Sequence, residues 1–247
     1  ILKDKVSDFF VFYKPKDVVS GDFYWWANVE NCTVITAVDC TGHGVPGAFM
    51  SMLGISYLRE IVMKEYITHP GVILRKLRKE IVKSLNQKDE LGAPRDGMDM
   101  ALISINHDTN VIQFAGAHNP VYIISKELQK QDNKAIQEYS LNGVEEKLFE
   151  IKPDKMPIAI YYKMDPFTNH EIQLHKGDQI YMFSDGYVDQ FGGEDKKRFM
   201  NGALRELLLK IAHKPMDQQK EIIENTFDFW KGDYEQIDDV VVVGVKI

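Results

Sequence analysis

Runs of apolar residues separated by turn residues divide the chain into short strands and longer helices. The clearest strand begins at Thr33 and stops at Asp39, and a glycine-rich turn follows it. The final segment, 240–247, carries four consecutive valines, which is typical of a strand buried on both faces. The same reasoning predicts strands at 8–13, 23–26, 98–105, 111–115 and 121–124.

Shorter signals predict turns and loops between these strands. Residues 171–174 and 179–183 flank the sequence His-Lys-Gly-Asp, which predicts a β-hairpin. The polar stretch 125–137 is interpreted as a further hairpin excursion. Residues 87–97 have turn residues and no apolar period, so we interpret them as a mobile loop.

Four segments have the 3.6-residue period of helices: 46–65, 71–86, 196–212 and 216–231. In the first, these apolar residues share helical spacing: Phe49, Met52, Leu53, Tyr57 and Ile61. In the second, these residues are predicted to be buried: Leu74, Leu77, Ile81 and Leu85. The opposite face of the second helix is basic and is interpreted as solvated surface: Arg75, Lys76, Arg78, Lys79 and Lys83.

Strands in runs and helices in pairs predict an α+β fold rather than strictly alternating α/β units. A single domain covering residues 1–247 is the simpler organisation. Because the chain begins at Ile1, we expect this domain to be part of a longer protein with an upstream regulatory region.

Composition narrows the class of function. The formal net charge of −7 argues against broad nucleic-acid binding, which needs a basic surface. No apolar run approaches the roughly 20 residues that span a bilayer, and no signal-peptide core is present. The two cysteines, Cys32 and Cys40, do not form a disulfide framework, so we expect a cytoplasmic setting, although a longer parent could be tethered to a membrane.

Acidic residues stand where predicted strands begin or end. Asp39 and Asp185 each end an apolar strand before a turn, Asp22 lies in Ser-Gly-Asp-Phe-Tyr-Trp, and Asp238 and Asp239 precede the last strand. Carboxylates at strand ends can converge in a folded sheet, and such oxygen ligands suit Mg²⁺ or Mn²⁺. Two such ions can bind the oxygens of a phosphate ester. The chain is therefore predicted to be a metal-dependent phosphatase.

Five motifs in chain order add a family resemblance that runs from about Tyr13 to the C-terminus. They are SGDFYW, AVDCTGHGVPGAFM, FAGAHNP, FSDG and IDDV. Together they resemble the PPM (protein phosphatase 2C-like) metal-dependent serine/threonine phosphatases. Within that family, the motifs most resemble the bacterial branch that contains stage II sporulation protein E and the sigma-factor regulators. It implies a β-sandwich of two antiparallel sheets flanked by helix pairs, in four layers ordered α-β-β-α.

The resemblance also implies a centre of two Mn²⁺ or Mg²⁺ ions and a hydroxide between them that attacks phosphorus. Asp39 would bridge the ions, the Cys40 carbonyl would add an oxygen, and Asp22 would act mainly through bound water. Asp185 and Asp238 would hold one ion, with Asp239 as the alternative to Asp238. His43 is a candidate active-site residue, with a structural turn histidine as the alternative interpretation.

The sequence departs from that family pattern near His43. His43 lies four residues after Asp39, where relatives with a proposed general acid have a histidine two residues after, so the general acid stays unassigned. A phosphate-binding arginine near Asp22 is missing, and Lys16 is a weak substitute. The turn AGAHNP lacks the aspartate with which several relatives hold a third metal.

Several residues near these motifs have plainer interpretations. His118 and Asn119 are interpreted as turn residues beside the site, and Asp96 and Asp99 as solvated. The resemblance suggests a phosphorylated anti-sigma-factor antagonist or similar regulator as substrate, and control by upstream sensory segments acting through the helices after Gly44. The sequence leaves open whether the chain forms a homodimer.

Three rival functions share parts of this pattern. A receiver domain is disfavoured, because its acidic pair follows the first strand, whereas the pair Asp238–Asp239 precedes the last strand here. The strand-helix alternation of a receiver domain is also absent. A phosphatase-fold module that binds a partner without turnover is the second rival, and a small-molecule phosphoesterase is the third.

Overall fold

The computed structural model describes residues 6–88, 96–128 and 133–247. Its strands are β1 (Asp8–Lys14), β2 (Phe23–Val29), β3 (Cys32–Cys40), β4 (Met98–Asn106), β5 (Val111–Ala117), β6 (Val121–Ser125), β7 (Ile136–Tyr139), β8 (Lys147–Ile151), β9 (His170–Gln173), β10 (Gln179–Phe183), β11 (Phe191–Gly192), β12 (Lys197–Arg198) and β13 (Val240–Lys246). Its α-helices are α1 (Gly44–Leu58), α2 (Pro70–Ser84), α3 (Gly186–Asp189), α4 (Met200–Ile211) and α5 (Met216–Lys231).

Two antiparallel sheets account for most of the strands. One has six strands in the order β1-β13-β10-β6-β8-β7, and the other has five in the order β2-β3-β4-β5-β9. The valine-rich β13 lies between β1 and β10 and is buried over nearly its whole length. Its predicted burial on both faces is therefore confirmed.

Three apolar cores separate four layers. The first lies between α1, α2 and the five-stranded sheet, and is formed by residues such as Leu77 and Met100. The second lies between the sheets, and the third between the six-stranded sheet and α4 and α5. The predicted α+β fold with α-β-β-α layers is confirmed. The extent of a single domain over 1–247 stays a prediction.

Helix α1 buries a different face from the one its apolar spacing suggested. Phe49 and Met52 are 68% and 69% exposed, whereas Gly47 and Gly54 face inward. A side chain at Gly54 would place its Cβ 2.8 Å from the methyl carbon of Met98, so close approach to the sheet selects small residues there. The helix continues as a π-helical turn, Arg59–Lys64, a variant frequent at functional sites.

Helix α2 buries Leu74, Leu77 and Ile81 as predicted. The predicted burial of Leu85 and the predicted exposure of Arg78 are wrong. Leu85 follows the helix end and is 36% exposed. Arg78, assigned to a solvated basic face, is buried and donates to the main-chain oxygen of Asp165 at 2.7 Å.

The predicted hairpin across His175–Asp178 is wrong. Strand β9 pairs with β5 in the five-stranded sheet, and β10 pairs with β6 and β13 in the other, so the turn crosses between sheets. Ile172 and Ile180 both face the core between the sheets, and a local hairpin could not place them on facing sheets.

Other differences concern short strands and loops. The sequence interpretation missed β7, β8, β11 and β12, and placed the start of α4 four residues early. The predicted mobile loop lies mostly outside the described residues, as does part of the predicted excursion at 125–137. Across the described residues, every helix is too short or too polar to cross a bilayer.

Candidate active site

Strand register brings three carboxylates side by side at one end of the five-stranded sheet. Phe23 pairs with Val38, so Asp22 stands opposite Asp39, and Asp39 itself pairs with Asp99. We call Asp22, Asp39 and Asp99 the carboxylate row. Like charges directly opposite each other destabilise a sheet, so a row of three carboxylates needs a compensating positive charge.

The six-stranded sheet brings Asp185 and the pair Asp238–Asp239 to the same place. Asp185 follows β10, and its backbone N–H points to Asp39 Oδ2 at 3.5 Å. The neighbouring Gly186 allows the two loops to meet, because a Cβ there would lie 1.9 Å from the carbonyl oxygen of Asp239. The predicted residues from both ends of the chain therefore surround one location.

Asp238 and Asp239 differ in how their carboxylates are used. Asp239 is 1% exposed, and its oxygens accept the backbone N–H groups of Lys16 at 2.7 Å and Gly21 at 2.8 Å. Asp238 is half-buried, and its Oδ1 accepts the Asp239 N–H at 2.8 Å. Asp239 thus fixes the loop before β2, and Asp238 Oδ2 receives no backbone N–H from the part of the chain that the structure describes.

Asp22 is buried without enough donors to satisfy it. Its Oδ1 receives the Cys40 N–H at 3.3 Å, while its buried Oδ2 has no hydrogen-bond partner among the described residues. Burial, with the nearby charges of Asp239 and Asp238, raises the pKa of Asp22 to about 8. An orphaned buried carboxylate oxygen is the feature that a cation or its bound water would satisfy.

Asp39 lies at the centre of this negative charge. Burial and the neighbouring carboxylates of Asp22, Asp185 and Asp99 raise the pKa of Asp39 well above its ordinary value. Within the described residues no three ligand side chains already form a closed metal-binding set. The donor chemistry, all carboxylate oxygen, nevertheless fits a hard divalent cation.

Small residues hold the backbone around Asp22 and Asp39 together. A Cβ at Gly21 would lie 2.4 Å from the carbonyl oxygen of Gly42, so the two turns touch through backbone. Ser51, on α1, donates to the Gly21 carbonyl at 2.7 Å. The middle of α1 is therefore attached to the segment that carries Asp22, and Cys40 is buried in the core between α1 and the five-stranded sheet.

His43 precedes α1 and links two residues of the loop before β2. Its Nδ1 lies 2.6 Å from Asp17 Oδ2, and its Nε2 lies 2.9 Å from Lys16 Nζ. Asp17, His43 and Lys16 thus form a hydrogen-bonded chain at the edge of the site, with the imidazole between a carboxylate and an ammonium group. The sequence pattern pointed to His43 but not to Asp17.

Asp99 corrects the sequence interpretation, which took it as solvated. It stands opposite Asp39 and its Oδ1 contacts His118 Nδ1 at 2.9 Å, whereas Asp96 is exposed as expected. The signal that could have found it is register, because β4 is the neighbour of the strand that carries Asp39.

Comparison with known proteins identifies the family. A model of stage II sporulation protein E (SpoIIE) matches residues 30–247. The PP2C domain of SiaA from Pseudomonas aeruginosa is 27% identical with a TM-score of 0.80, over 97% of this chain and 85% of that one. No curated protein matches the chain.

More distant structures share the fold. The Bacillus subtilis SpoIIE phosphatase domain with a fragment of its regulatory domain has 17% identity and a TM-score of 0.71, covering 97% of this chain and 63% of that one. The RsbU and RsbW domains of a Mycobacterium tuberculosis protein give 16% identity and a TM-score of 0.68, covering 97% and 59%.

Proposed function

This chain belongs to the SpoIIE family of PP2C-type phosphatase domains, and we propose that it is a metal-dependent phosphatase of phosphoserine and phosphothreonine in proteins. The observation that carries the proposal is the convergence of the carboxylate row with Asp185 and Asp238 from the facing sheet. Such a cluster is costly without a cation and suits phosphate-ester hydrolysis with one.

Two Mn²⁺ or Mg²⁺ ions are proposed for this cluster. Asp39, Asp185 and Asp238 would hold them with the Cys40 carbonyl, and Asp22 would act through bound water. Asp239 is the weaker candidate, because both its oxygens accept backbone N–H groups. When bound, such ions lower the pKa of water and neutralise phosphate charge.

Lys16 and His43 are proposed to orient the phosphate group. The Lys16 ammonium uses one proton on His43 Nε2 and has two left for phosphate oxygens. Asp17 fixes the His43 ring, and Asp239 fixes the Lys16 backbone. Lys16 would thus take the place of a phosphate-binding arginine, as a point charge rather than a planar fork.

The proposed substrate is a phosphorylated regulatory protein such as an anti-sigma-factor antagonist, and the proposed regulator is an upstream segment of a longer parent. The proposed control by an upstream segment is supported by three exposed apolar residues on α1, Val45, Phe49 and Met52. Helix α1 is attached to the segment that carries Asp22. Phe49→Ser should alter turnover only in a chain that includes the upstream region. An equal effect in both chains would contradict that regulation.

The function is tested by hydrolysis of an aryl phosphate and a phosphoserine peptide. Mn²⁺ is titrated into the chain and then removed with chelator, with Asp39→Asn in parallel. Turnover of both substrates that needs Mn²⁺ and falls at least about a hundredfold in the variant supports the proposal, since ligand loss exceeds the 10–100-fold cost of changes around a ligand. Turnover of the aryl phosphate alone favours a small-molecule phosphoesterase. No turnover and no Mn²⁺ binding favour the silent module.

A further inference from the structure

Two histidines flank the carboxylate row, and an aspartate holds each through Nδ1. The separations are 2.6 Å for His43 with Asp17 and 2.9 Å for His118 with Asp99. A carboxylate at Nδ1 orients the imidazole and leaves Nε2 to exchange a proton with a substrate. The two histidines can therefore be distinguished by what meets Nε2.

Nε2 of His43 is already occupied. Lys16 Nζ lies 2.9 Å from it, and an ammonium can only donate hydrogen bonds. Nε2 must therefore accept, which places the proton of the neutral ring on Nδ1, facing Asp17. In this arrangement His43 has no proton to give from Nε2.

Nε2 of His118 carries no hydrogen bond to any residue within 6–88, 96–128 and 133–247, and the side chain is 34% exposed. The ring is nevertheless held firmly. The backbone N–H of His118 donates to the Asp154 carbonyl at 3.0 Å, and the ring meets Tyr161 edge-on at 6.3 Å between centroids. A fixed imidazole with one free, accessible nitrogen suits general acid catalysis.

His118 also extends the carboxylate row by one strand. Met100 pairs with Ala117, so the next residues outward, Asp99 and His118, stand opposite each other. Adjacent strands lie about 4.8 Å apart, which puts His118 about 10 Å from Asp39 between Cα atoms. Asp99 stands between the two in the row, so His118 lies at the end of the row, two strands from Asp39.

We propose that His118, oriented by Asp99, donates the proton to the leaving oxygen of the phosphoester. The inference rests on the proposed function. A water oxygen bonds to phosphorus while the bond from phosphorus to the serine or threonine oxygen breaks. The electron pair stays on that oxygen, which takes the proton from Nε2 of the doubly protonated His118 ring and leaves the neutral tautomer with its proton on Nδ1, facing Asp99. The water gives a proton to solvent and His118 regains one, so the sum is phosphoester plus water giving alcohol plus phosphate.

The groups that face this imidazole come from several elements. Asp99 on β4 contacts it directly, and Asp39 lies beyond Asp99 on β3. Tyr161, from the segment after β8, packs edge-on against the ring, and Asp154 contributes its main-chain carbonyl. A pH profile of the reaction would include all of these groups, so a series of leaving groups is the more selective experiment.

The test is a series of phosphate monoesters whose leaving groups range from acidic phenols to the serine of a phosphopeptide. His118→Asn is the variant, because asparagine tolerates the left-handed backbone of this position, where φ is 57°. Loss of a general acid should lower kcat/KM by about 10²-fold or more for the phosphopeptide and far less for acidic phenols. A plot of log kcat/KM against leaving-group pKa should become steeper.

Two further variants separate the outcomes. His43→Asn should lower kcat/KM by one common factor across the series, and Asp99→Asn should steepen the plot in the same sense as His118→Asn. If His118→Asn does not fold, Asp99→Asn carries the test. Equal losses on all esters for His118→Asn overturn the inference and leave the function intact. If the unaltered chain with Mn²⁺ hydrolyses no ester, the function fails and the inference with it.

Discussion

The two sheets supply carboxylates to the same site under opposite conditions. On the five-stranded sheet, Asp22 and Asp39 stand opposite each other, and Asp22 Oδ2 has no hydrogen-bond partner among the described residues. On the six-stranded side, the equally buried Asp239 receives two backbone N–H groups. One sheet thus presents unsatisfied charge, and the other uses charge to hold the backbone in place.

The difference shows that burial of a carboxylate does not by itself mark a metal ligand. Hydrogen bonds to backbone N–H groups stabilise the ionised form of Asp239, so its negative charge is already compensated. In the carboxylate row, the structure gives Asp22 and Asp39 one longer backbone N–H bond each among the described residues, at 3.3 Å and 3.5 Å. Their charge is therefore less well compensated, and its repulsion opposes folding. We therefore expect changes on the two sheets to shift the stability of the metal-free chain in opposite directions.

The largest effect is expected for Gly186→Ala, which separates the loops of the six-stranded side. The new Cβ would meet the Asp239 carbonyl oxygen at 1.9 Å, a backbone atom that cannot rotate away. The free energy of unfolding in urea with chelator should fall by about 3 kcal/mol or more. Gly202→Ala in α4 is the control, because its Cβ meets only an Arg205 nitrogen at 4.0 Å. A loss no larger than that of the control would contradict the close contact.

Asp239→Asn should destabilise the metal-free chain by about 2 kcal/mol. The amide keeps one acceptor and turns an N–H₂ group toward a backbone donor, so one charge-assisted bond is lost and one donor is left unsatisfied. The same urea titration measures it, beside Asp195→Asn, an exposed aspartate whose pairing with Lys197 is also exposed. Equal stability of the two variants would show that Asp239 does not hold the loop.

The same contrast explains which site residues the sequence could predict. Asp39 and Asp185 end apolar strands and precede glycine-containing turns, so local pattern was sufficient to find them. Asp99 has no such signal, because its importance comes from pairing with Asp39 across two strands far apart in the chain. Asp238 and Asp239 are adjacent, and only the backbone donors from Lys16 and Gly21 distinguish them.

The fold divides in the same way between local and non-local information. The long helices and the valine-rich β13 follow from periodicity and propensity, and the structure has them. The turn after Leu174 has the composition of a hairpin but crosses between the sheets, since each flanking strand finds its partner elsewhere in the chain. In α1, the face with Gly54 packs closely against Met98, while the face with the apolar Phe49 is exposed. Hydrophobicity alone does not predict which face is buried.

On the five-stranded sheet, Asp39→Asn should stabilise the metal-free chain by about 1 kcal/mol. It removes the central charge of the row and relieves repulsion with both neighbours, each worth up to about 1 kcal/mol for directly opposed pairs. Urea titration in chelator at about pH 9 measures the gain, because the pKa of Asp22 is about 8 and this neighbour is ionised above it. Adding Mn²⁺ should reverse the ranking, because the ion stabilises only the chain that binds it. A variant less stable than the unaltered chain in chelator would mean that the row is not repulsive.

The smallest expected effect is the response of the metal-free chain to salt. Raising NaCl from about 0.1 M to about 1 M shortens the Debye length from about 10 Å to about 3 Å, which screens the row only partly because its carboxylates are buried or half-buried. The unaltered chain should gain about 0.5 kcal/mol of unfolding free energy, since screening weakens each opposed pair. Asp39→Asn should gain less than Asp195→Asn, although both variants remove one negative charge. That difference isolates the row from the overall charge of the chain. Equal gains would place the repulsion in the net charge of −7 instead of at the site.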